Sequence, residues 1–232
     1  MHLLIIDGGH AEAEFRQKFG PMHEYSFLTL DPPETAATRE VLEQQGSEVL
    51  ATADVLFSFS EDLWPFVLDN KGQKPYFVEA SGNAVTLLNK RYSSIFGFCG
   101  LPTLLNRPLL EVSSPNPENA PQLAETCAAL GTDYRVVQDR VGLVTPRVIC
   151  MIINEACYTL QEGTASIQDI DKSMKLGTRY PRGPFEWANL IGVSRVYEVL
   201  KALWEDTHEE RYKVCPLLKS MYLRGEQFQL NE

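Results

Sequence analysis

The sixteen residues from Gly177 to Gly192 constrain the fold of this chain more than any other segment. Three glycines and two prolines divide the run, so the backbone can follow few paths through it. A helix is predicted to end at Gly177 and the segment from Pro181 to Gly183 to turn. Pro184 is then predicted to begin the next helix. The run therefore predicts a fixed angle between two helices.

Composition and charge limit the function classes. The chain has 232 residues, of which 44% are hydrophobic and 22% charged, as in a globular protein with one large core or two smaller ones. The formal net charge of −10, with no block of basic residues, argues against nucleic acid or an anionic membrane as the main partner. No apolar run is long enough to span a membrane, and the first residues do not resemble a signal peptide. We therefore expect a cytoplasmic protein.

The five cysteines form an odd set without a CxxC pair. Such a set favours reduced, structural thiols in the cytosol over a disulfide framework, which stays an alternative. None of the four histidines stands at metal-ligand spacing from another histidine or a cysteine, so we expect no metal site.

Short apolar runs alternate with helix-like stretches up to about residue 139. This alternation is typical of βαβ units, so the sequence predicts a doubly wound, parallel α/β domain over residues 1–139. The predicted strands are residues 3–6, 27–30, 54–59, 76–78, 95–98, 109–112 and 135–137, and the predicted helices are residues 11–19, 35–45, 61–70 and 118–130.

From residue 140 onward the pattern is helical throughout. Residues 144–160 place apolar side chains along one wide face, Ser166 begins a capping box for the next helix, and Ser194 is expected to cap a further one. The change of period divides the chain into residues 1–139 and 140–232. The apolar face of residues 144–160 is wide enough to need cover from a second chain as well as from its own.

Residues 144–160, 169–177 and 180–186 together resemble the C-terminal domain of the L-3-hydroxyacyl-CoA dehydrogenases. That family oxidises the 3-hydroxyl group of an acyl-CoA with NAD. The resemblance implies a shortened Rossmann-like domain of the NAD(P)-binding type, followed by an all-α dimerisation domain. It also implies a homodimer formed through that helical domain.

The family's glycine fingerprint corresponds to Asp7-Gly8-Gly9 and the residues up to Glu12. The resemblance gives cofactor-binding roles to Gly8, Gly9 and Asp31, the last at the place of the family's ribose-binding aspartate. An aspartate at a strand end is at least as often a turn residue. Asp7 and Glu12 replace the first and third glycines, and both would repel a pyrophosphate. At about 4 Å and an effective dielectric of about 20, one such repulsion costs roughly 4 kcal/mol, so we expect NAD binding to be weak or lost.

The family's catalytic segment corresponds to residues 97–112, with Cys99 in place of the catalytic histidine and Glu111 at the glutamate that orients it. An imidazole suits proton abstraction because its pKa lies near neutrality, whereas a thiol beside a carboxylate is driven toward its protonated form. We therefore expect Cys99 to be a packed thiol rather than a functional one. The family's substrate-contacting serine and active-site asparagine correspond to Ala84 and Pro146.

Two functions stay open. One is a catalytically impaired relative with a binding or assembly role, holding an acyl-CoA-like or other small ligand in the cleft between the domains. The other is an active NAD-dependent oxidoreductase that acts on 3-hydroxyacyl-CoA or a related hydroxy acid through rebuilt cofactor contacts. The several replacements in one site, together with the altered glycine loop, favour the first.

Overall fold

A computed structural model describes residues 1–30, 36–60, 65–69, 73–89 and 92–230. Within these ranges the strands are β1 His2–Ile6, β2 Glu24–Leu28, β3 Val55–Ser58, β4 Tyr76–Glu79, β5 Ile95–Phe98, β6 Leu109–Ser113 and β7 Asp133–Val137. The helices are α1 Glu12–Phe19, α2 Ala36–Thr52, α3 Pro65–Asp69, α4 Thr86–Asn89, α5 Ala120–Leu130, α6 Thr145–Gln161, α7 Ile167–Gly177, α8 Pro184–Ile191, α9 Val193–Thr207 and α10 Pro216–Arg224. In the same ranges, no helix has both the length and the apolar character needed to cross a bilayer.

The strands form one sheet in the order β2-β1-β3-β4-β5-β6-β7. Neighbouring strands are parallel except β5 and β6, which pair antiparallel with Gly97 opposite Ser113. The chain returns from β5 to β6 through residues 99–108, which are all described and contain no helix, whereas a parallel pair needs a long crossover. The doubly wound, Rossmann-like class is confirmed, and the expectation of a wholly parallel sheet is wrong at this one pair.

The apolar runs form the predicted strands to within two residues at each end, except at the start of β2. β1 and β3 are buried along their whole length because helices cover both faces of the sheet. β2 begins at Glu24 instead of Phe27. Because it is an edge strand with a single hydrogen-bonded neighbour, it tolerates polar residues such as Glu24 and Ser26.

Two hydrophobic clusters pack on the two faces of the sheet. On one face, Phe15 of α1 packs against Phe57 of β3, with ring centroids 5.1 Å apart. The other cluster runs from Leu56 of β3 to Cys150 of α6 and on through the helical part. Because this cluster includes residues on both sides of position 140, the division into two domains there stays a prediction.

The ends of the helices in the C-terminal part follow from local capping. Ser166 caps α7 by accepting a hydrogen bond from the backbone N–H of Asp169 at 3.1 Å. Ser194 was expected to cap α9. It does not, because that helix already begins at Val193. Gly192, with a φ of +101°, makes the break between α8 and α9, so Ser194 falls inside the first turn.

The glycine- and proline-rich run between α7 and α8 seats the N-terminus of α8 on a buried carboxylate. Asp171 of α7 accepts hydrogen bonds from the backbone N–H groups of Phe185 at 2.8 Å and of Glu186 at 3.0 Å. Burial raises the pKa of the Asp171 carboxyl, and these two hydrogen bonds oppose the rise. A β-carbon at Gly183 would lie 2.1 Å from the carboxyl carbon of Asp171, so glycine is required for this close approach.

We predict that Gly183→Ala destabilises the protein by about 2–3 kcal/mol, because the added methyl group would push Asp171 off the N-terminus of α8. Urea unfolding followed by circular dichroism measures the change. Gly177→Ala is the matched control, since no atom lies within 4 Å of a β-carbon built there. Equal stability of the two variants would contradict the role assigned to the contact.

Candidate functional site

A cleft of about 510 Å³ lies where the carboxyl ends of β1, β3, β4 and β5 face α9. In open α/β sheets, ligands bind outside the carboxyl ends of the strands, so a site is expected at this place. Charged and aromatic side chains from both parts of the chain line it: Asp7, His10, Phe59 and Glu79 on the sheet side, and Arg195, Glu198, Lys201 and Glu205 on the α9 side.

The predicted cofactor-binding glycines lie in the turn after β1. A β-carbon at Gly8 would lie 2.3 Å from the Ile5 side chain and 2.7 Å from the Phe59 ring, so glycine is needed here for packing. Gly9 has open space around it. Asp31, the third predicted cofactor-binding residue, lies outside the described residues. Packing alone thus accounts for Gly8, while the surroundings of Gly9 leave room for a ligand.

The two carboxylates expected at this turn differ in position. Asp7 lines the cleft, and its side chain accepts a hydrogen bond from the backbone N–H of Leu30 at 2.7 Å. Glu12 pairs with Arg16 of the same helix at 2.8 Å and does not line the cleft. An i, i+4 partner therefore holds Glu12 on the helix surface, and the expected repulsion comes from Asp7 alone.

Phe59, directly after β3, lines the cleft and packs against the glycine turn. Its ring packs edge-on against His10 at 4.8 Å and against Phe98 at 5.6 Å between ring centroids. The ring also takes the space that a β-carbon at Gly8 or Gly100 would need. Phe59 was not among the predicted site residues, because in the sequence it looks like one more apolar strand residue.

His10 contributes a neutral ring to the cleft. Burial lowers the pKa of its imidazole, the nearby positive charge of Arg195 lowers it further, and Glu14 opposes both. An imidazole whose pKa falls below its ordinary value is uncharged at neutral pH. His10 was also not among the predicted site residues, because a lone histidine in a turn carries no motif.

Cys99 lies in the core rather than in the cleft. It is 2% exposed, and the Ser81 hydroxyl lies 3.9 Å from its sulfur. Burial raises the pKa of the Cys99 thiol to about 12, and the Glu79 carboxylate adds to the rise. At neutral pH the thiol is therefore protonated and out of reach of a substrate in the cleft.

Glu111 is buried beneath the start of α6. Its carboxylate accepts hydrogen bonds from the backbone N–H groups of Val144 and Thr145, the latter at 3.1 Å, and Arg107 lies 3.7 Å away. A carboxylate at a helix N-terminus satisfies N–H groups that have no partner within the helix. The antiparallel pairing of β5 with β6, continued by one residue, sets Cys99 opposite Glu111. The fold thus brings the two predicted catalytic residues together, but the Glu111 carboxylate is hydrogen-bonded to the backbone at the start of α6 and not to Cys99.

Asp139 shapes the site and was missed. Its carboxylate accepts hydrogen bonds from the backbone N–H groups of Val85 at 3.0 Å and Thr86 at 2.7 Å. It also accepts one from the Ser113 hydroxyl at 2.9 Å. Asp139 thus ties the start of α4, next to Ala84, to the linker that leads into α6. An aspartate in a linker is such a common turn residue that its sequence position gave no signal.

The charged side chains of α9 that face the cleft recur at a spacing of three or four residues, opposite the buried apolar face of the same helix. Of the two faces, only the apolar one was predicted from the sequence. In the part of the chain that the structure describes, no group of three or more His, Cys, Asp or Glu side chains is arranged to hold a metal ion.

The fold and the cleft define a dehydrogenase-type scaffold, in which a mostly parallel Rossmann-like sheet meets a helical part at the strand ends. Residues 142–229 match the family model of the 3-hydroxyacyl-CoA dehydrogenase C-terminal domain. The structure of the (S)-3-hydroxybutyryl-CoA dehydrogenase of Ralstonia eutropha has the same fold, with a TM-score of 0.68 and 19% identity. That match covers 97% of this chain and 94% of the Ralstonia chain.

Relatives in sequence point the same way. The 3-hydroxybutyryl-CoA dehydrogenase of Bradyrhizobium diazoefficiens is 38% identical over 94 residues, which are 40% of this chain but only 32% of that protein. A probable 3-hydroxybutyryl-CoA dehydrogenase of Deinococcus radiodurans is 26% identical over 237 residues, covering 95% of this chain and 83% of that protein. Residues 142–229 thus correspond to the C-terminal domain of the 3-hydroxyacyl-CoA dehydrogenases, and the whole chain is similar in fold to these enzymes.

We predict that none of the five cysteines reacts with Ellman's reagent in the native protein at pH 8, because all five are free and buried. All five should react after unfolding in guanidinium chloride, which is the internal control. The absorbance of the released thiolate counts the reactive thiols. Rapid reaction of one native thiol, mapped to Cys99 by mass spectrometry, would show that this group is accessible after all.

Proposed function

We propose that this chain is a catalytically impaired member of its family with a binding or assembly role, holding a small-molecule or acyl-CoA-like ligand in its cleft. One observation carries the proposal. At the two positions that the resemblance assigns to the catalytic pair, Cys99 is buried with its pKa raised to about 12, and Glu111 is bound to the N-terminus of α6.

The chemistry of the family needs a base with a pKa near the working pH, within reach of the substrate hydroxyl. Cys99 meets neither requirement. The two further replacements also argue against catalytic activity. Ala84 has no hydroxyl group, and Pro146 has neither an amide side chain nor a backbone N–H. Pro146 is also buried in the first turn of α6, where the N–H it lacks would have had no helical partner.

Weak or lost NAD binding is part of the proposal. Asp7 lines the cleft and puts a carboxylate where the pyrophosphate of a dinucleotide would lie. Solvent screening and side-chain rotation reduce the cost of the repulsion, which the proposal takes to be large enough to weaken binding. Free, buried cysteines support a reducing compartment, and we place the protein in the cytoplasm on that ground.

The second candidate is an active NAD-dependent oxidoreductase that acts on 3-hydroxyacyl-CoA or a related hydroxy acid. It is favoured by the names of the relatives and by the open space around Gly9. In that case another group has to serve as the base. His10 is a titratable ring that faces the cleft, and it would be the first residue to test.

We predict that the melting temperature of the purified protein does not rise in 5 mM NAD or NADH. A ligand at about 100 times its Kd stabilises a protein by about 2.7 kcal/mol, a shift of roughly 5–10 °C for a chain of this size. Differential scanning fluorimetry measures it. The Ralstonia eutropha dehydrogenase, treated in parallel, is the positive control.

The same preparations are tested for NADH oxidation with acetoacetyl-CoA. Turnover above background that disappears in His10→Gln would overturn the impaired-enzyme proposal and support the second candidate. A nucleotide-induced rise in melting temperature without turnover would retain the proposal of impaired catalysis and reject the loss of NAD binding.

We also propose that the chain forms a homodimer through the helical part. Val144, directly before α6, and Val148 on α6 are 52% and 50% exposed, and Ile152 continues the same line one helical turn further along. We call these three residues the α6 stripe. Apolar side chains lined up on an exposed helix face are typical of a surface that a partner covers.

We predict that Val148→Glu converts the protein to a monomer, because the dimer would bury its carboxylate without a partner. Size-exclusion chromatography with light scattering at micromolar concentration gives the mass. The matched control is Leu223→Glu on α10, whose side chain is 70% exposed and is not part of the α6 stripe. A wild-type monomer at this concentration would contradict the proposal.

A further inference from the structure

Arg195 is a half-buried cation that forms no ion pair with any residue the structure describes. It projects from α9 into the cleft, opposite Asp7 and His10. Its one described hydrogen bond is a long one of 3.4 Å to the backbone carbonyl of Ile191 in its own helix. Among the described residues, no carboxylate lies within ion-pair distance of its guanidinium group.

Three of the four carboxylates that line the cleft, those of Asp7, Glu79 and Glu205, interact with other groups. Asp7 accepts a hydrogen bond from the backbone N–H of Leu30 at 2.7 Å. Glu79 accepts hydrogen bonds from the Ser81 hydroxyl and from the backbone N–H of Gly100, the latter at 3.2 Å. On α9 itself, Glu205 lies 3.7 Å from Lys201. None of these three carboxylates therefore forms an ion pair with Arg195.

A guanidinium group has five N–H donors, and in a partly buried position these donors need hydrogen-bond acceptors other than bulk water. The planar fork of an arginine matches the two oxygens of a carboxylate, and such charge-assisted pairs are about twice as strong as neutral hydrogen bonds. Arg195 thus supplies the feature that the rest of the cleft lacks, a free site for a planar anion.

The surroundings favour a compact monoanion over a phosphate or a dinucleotide. Phe59 narrows the sheet side of the cleft, and about 510 Å³ suits a small ligand. Glu198 lies three residues after Arg195 on the same helix and also lines the cleft. A doubly charged group would meet Glu198 and Asp7 as well as Arg195, so the repulsion grows with ligand charge.

We infer that the cleft binds a short carboxylate ligand whose carboxyl group pairs with Arg195. The inference rests on the proposed binding role of the cleft and gives that role a ligand class. It separates a free acid from an acyl-CoA, since in a thioester the carboxylate oxygens that Arg195 would bind are not available.

The test is calorimetric titration of the full chain with 3-hydroxybutyrate as the probe. We expect saturable binding that weakens at least about tenfold in Arg195→Gln, in line with the loss of a charge-assisted pair. Arg195→Lys should bind between the two, because it keeps the charge and loses the fork. Arg140→Gln is the matched control, since that exposed arginine pairs with Asp206 at 3.4 Å and does not line the cleft.

Three further probes sharpen the result. The methyl ester of 3-hydroxybutyrate should not bind, and inorganic phosphate should bind more weakly than the acid. No binding of 3-hydroxybutyrate, equal affinity in Arg195→Gln, or tighter binding of phosphate would each overturn the inference. NAD is titrated separately. If both NAD and 3-hydroxybutyrate bind, the proposed loss of NAD binding is rejected and the carboxylate site is retained. If neither binds, only the carboxylate site is rejected.

Discussion

Two buried carboxylates hold the helical part of this protein in place, and the shape of the cleft depends on them. Glu111 of β6 binds the first N–H groups of α6, and Asp171 of α7 binds those of α8. Each places a negative charge on N–H groups that would otherwise be buried without a partner, which makes these bonds stronger than neutral ones. Because α9 packs on α6, the position of Arg195 follows from the bond that Glu111 makes.

The capping role gives a physical reason for a glutamate at the catalytic position of a chain without the histidine. A carboxylate that satisfies the start of α6 stabilises the fold whether or not a proton has to be moved. Retention of Glu111 is therefore weak support for activity. Cys99 is buried, and its thiol suits an apolar core at a position where an imidazole would need hydrogen-bond partners.

Local sequence patterns were enough to predict most elements, and non-local contacts decided what was missed. β1 and β3 are apolar on both faces and therefore evident, whereas the polar residues of the edge strand β2 concealed its first three positions. Phe59 looks like a strand residue until the fold brings Gly8 and Gly100 against its ring. Arg195 is likewise one polar position of an amphipathic helix until the sheet faces it. The resemblance located Glu111, but only the coordinates could give its hydrogen-bond partners.

The cleft joins two parts that supply different interactions. The sheet side offers the Phe59 ring and carboxylates already bound to backbone, and α9 offers the Arg195 guanidinium, which has no ion-pair partner in the described part of the chain. If the cleft binds a ligand as proposed, a ligand that contacts both sides stabilises one arrangement of the sheet relative to α9. The size of this stabilisation equals the difference between the ligand's binding free energies for that arrangement and for the alternatives. Since α9 packs on α6, and the α6 stripe is the proposed dimer surface, ligand and partner would act on the same pair of helices. Two binding events that favour one arrangement strengthen each other reciprocally, and this coupling needs no catalytic base.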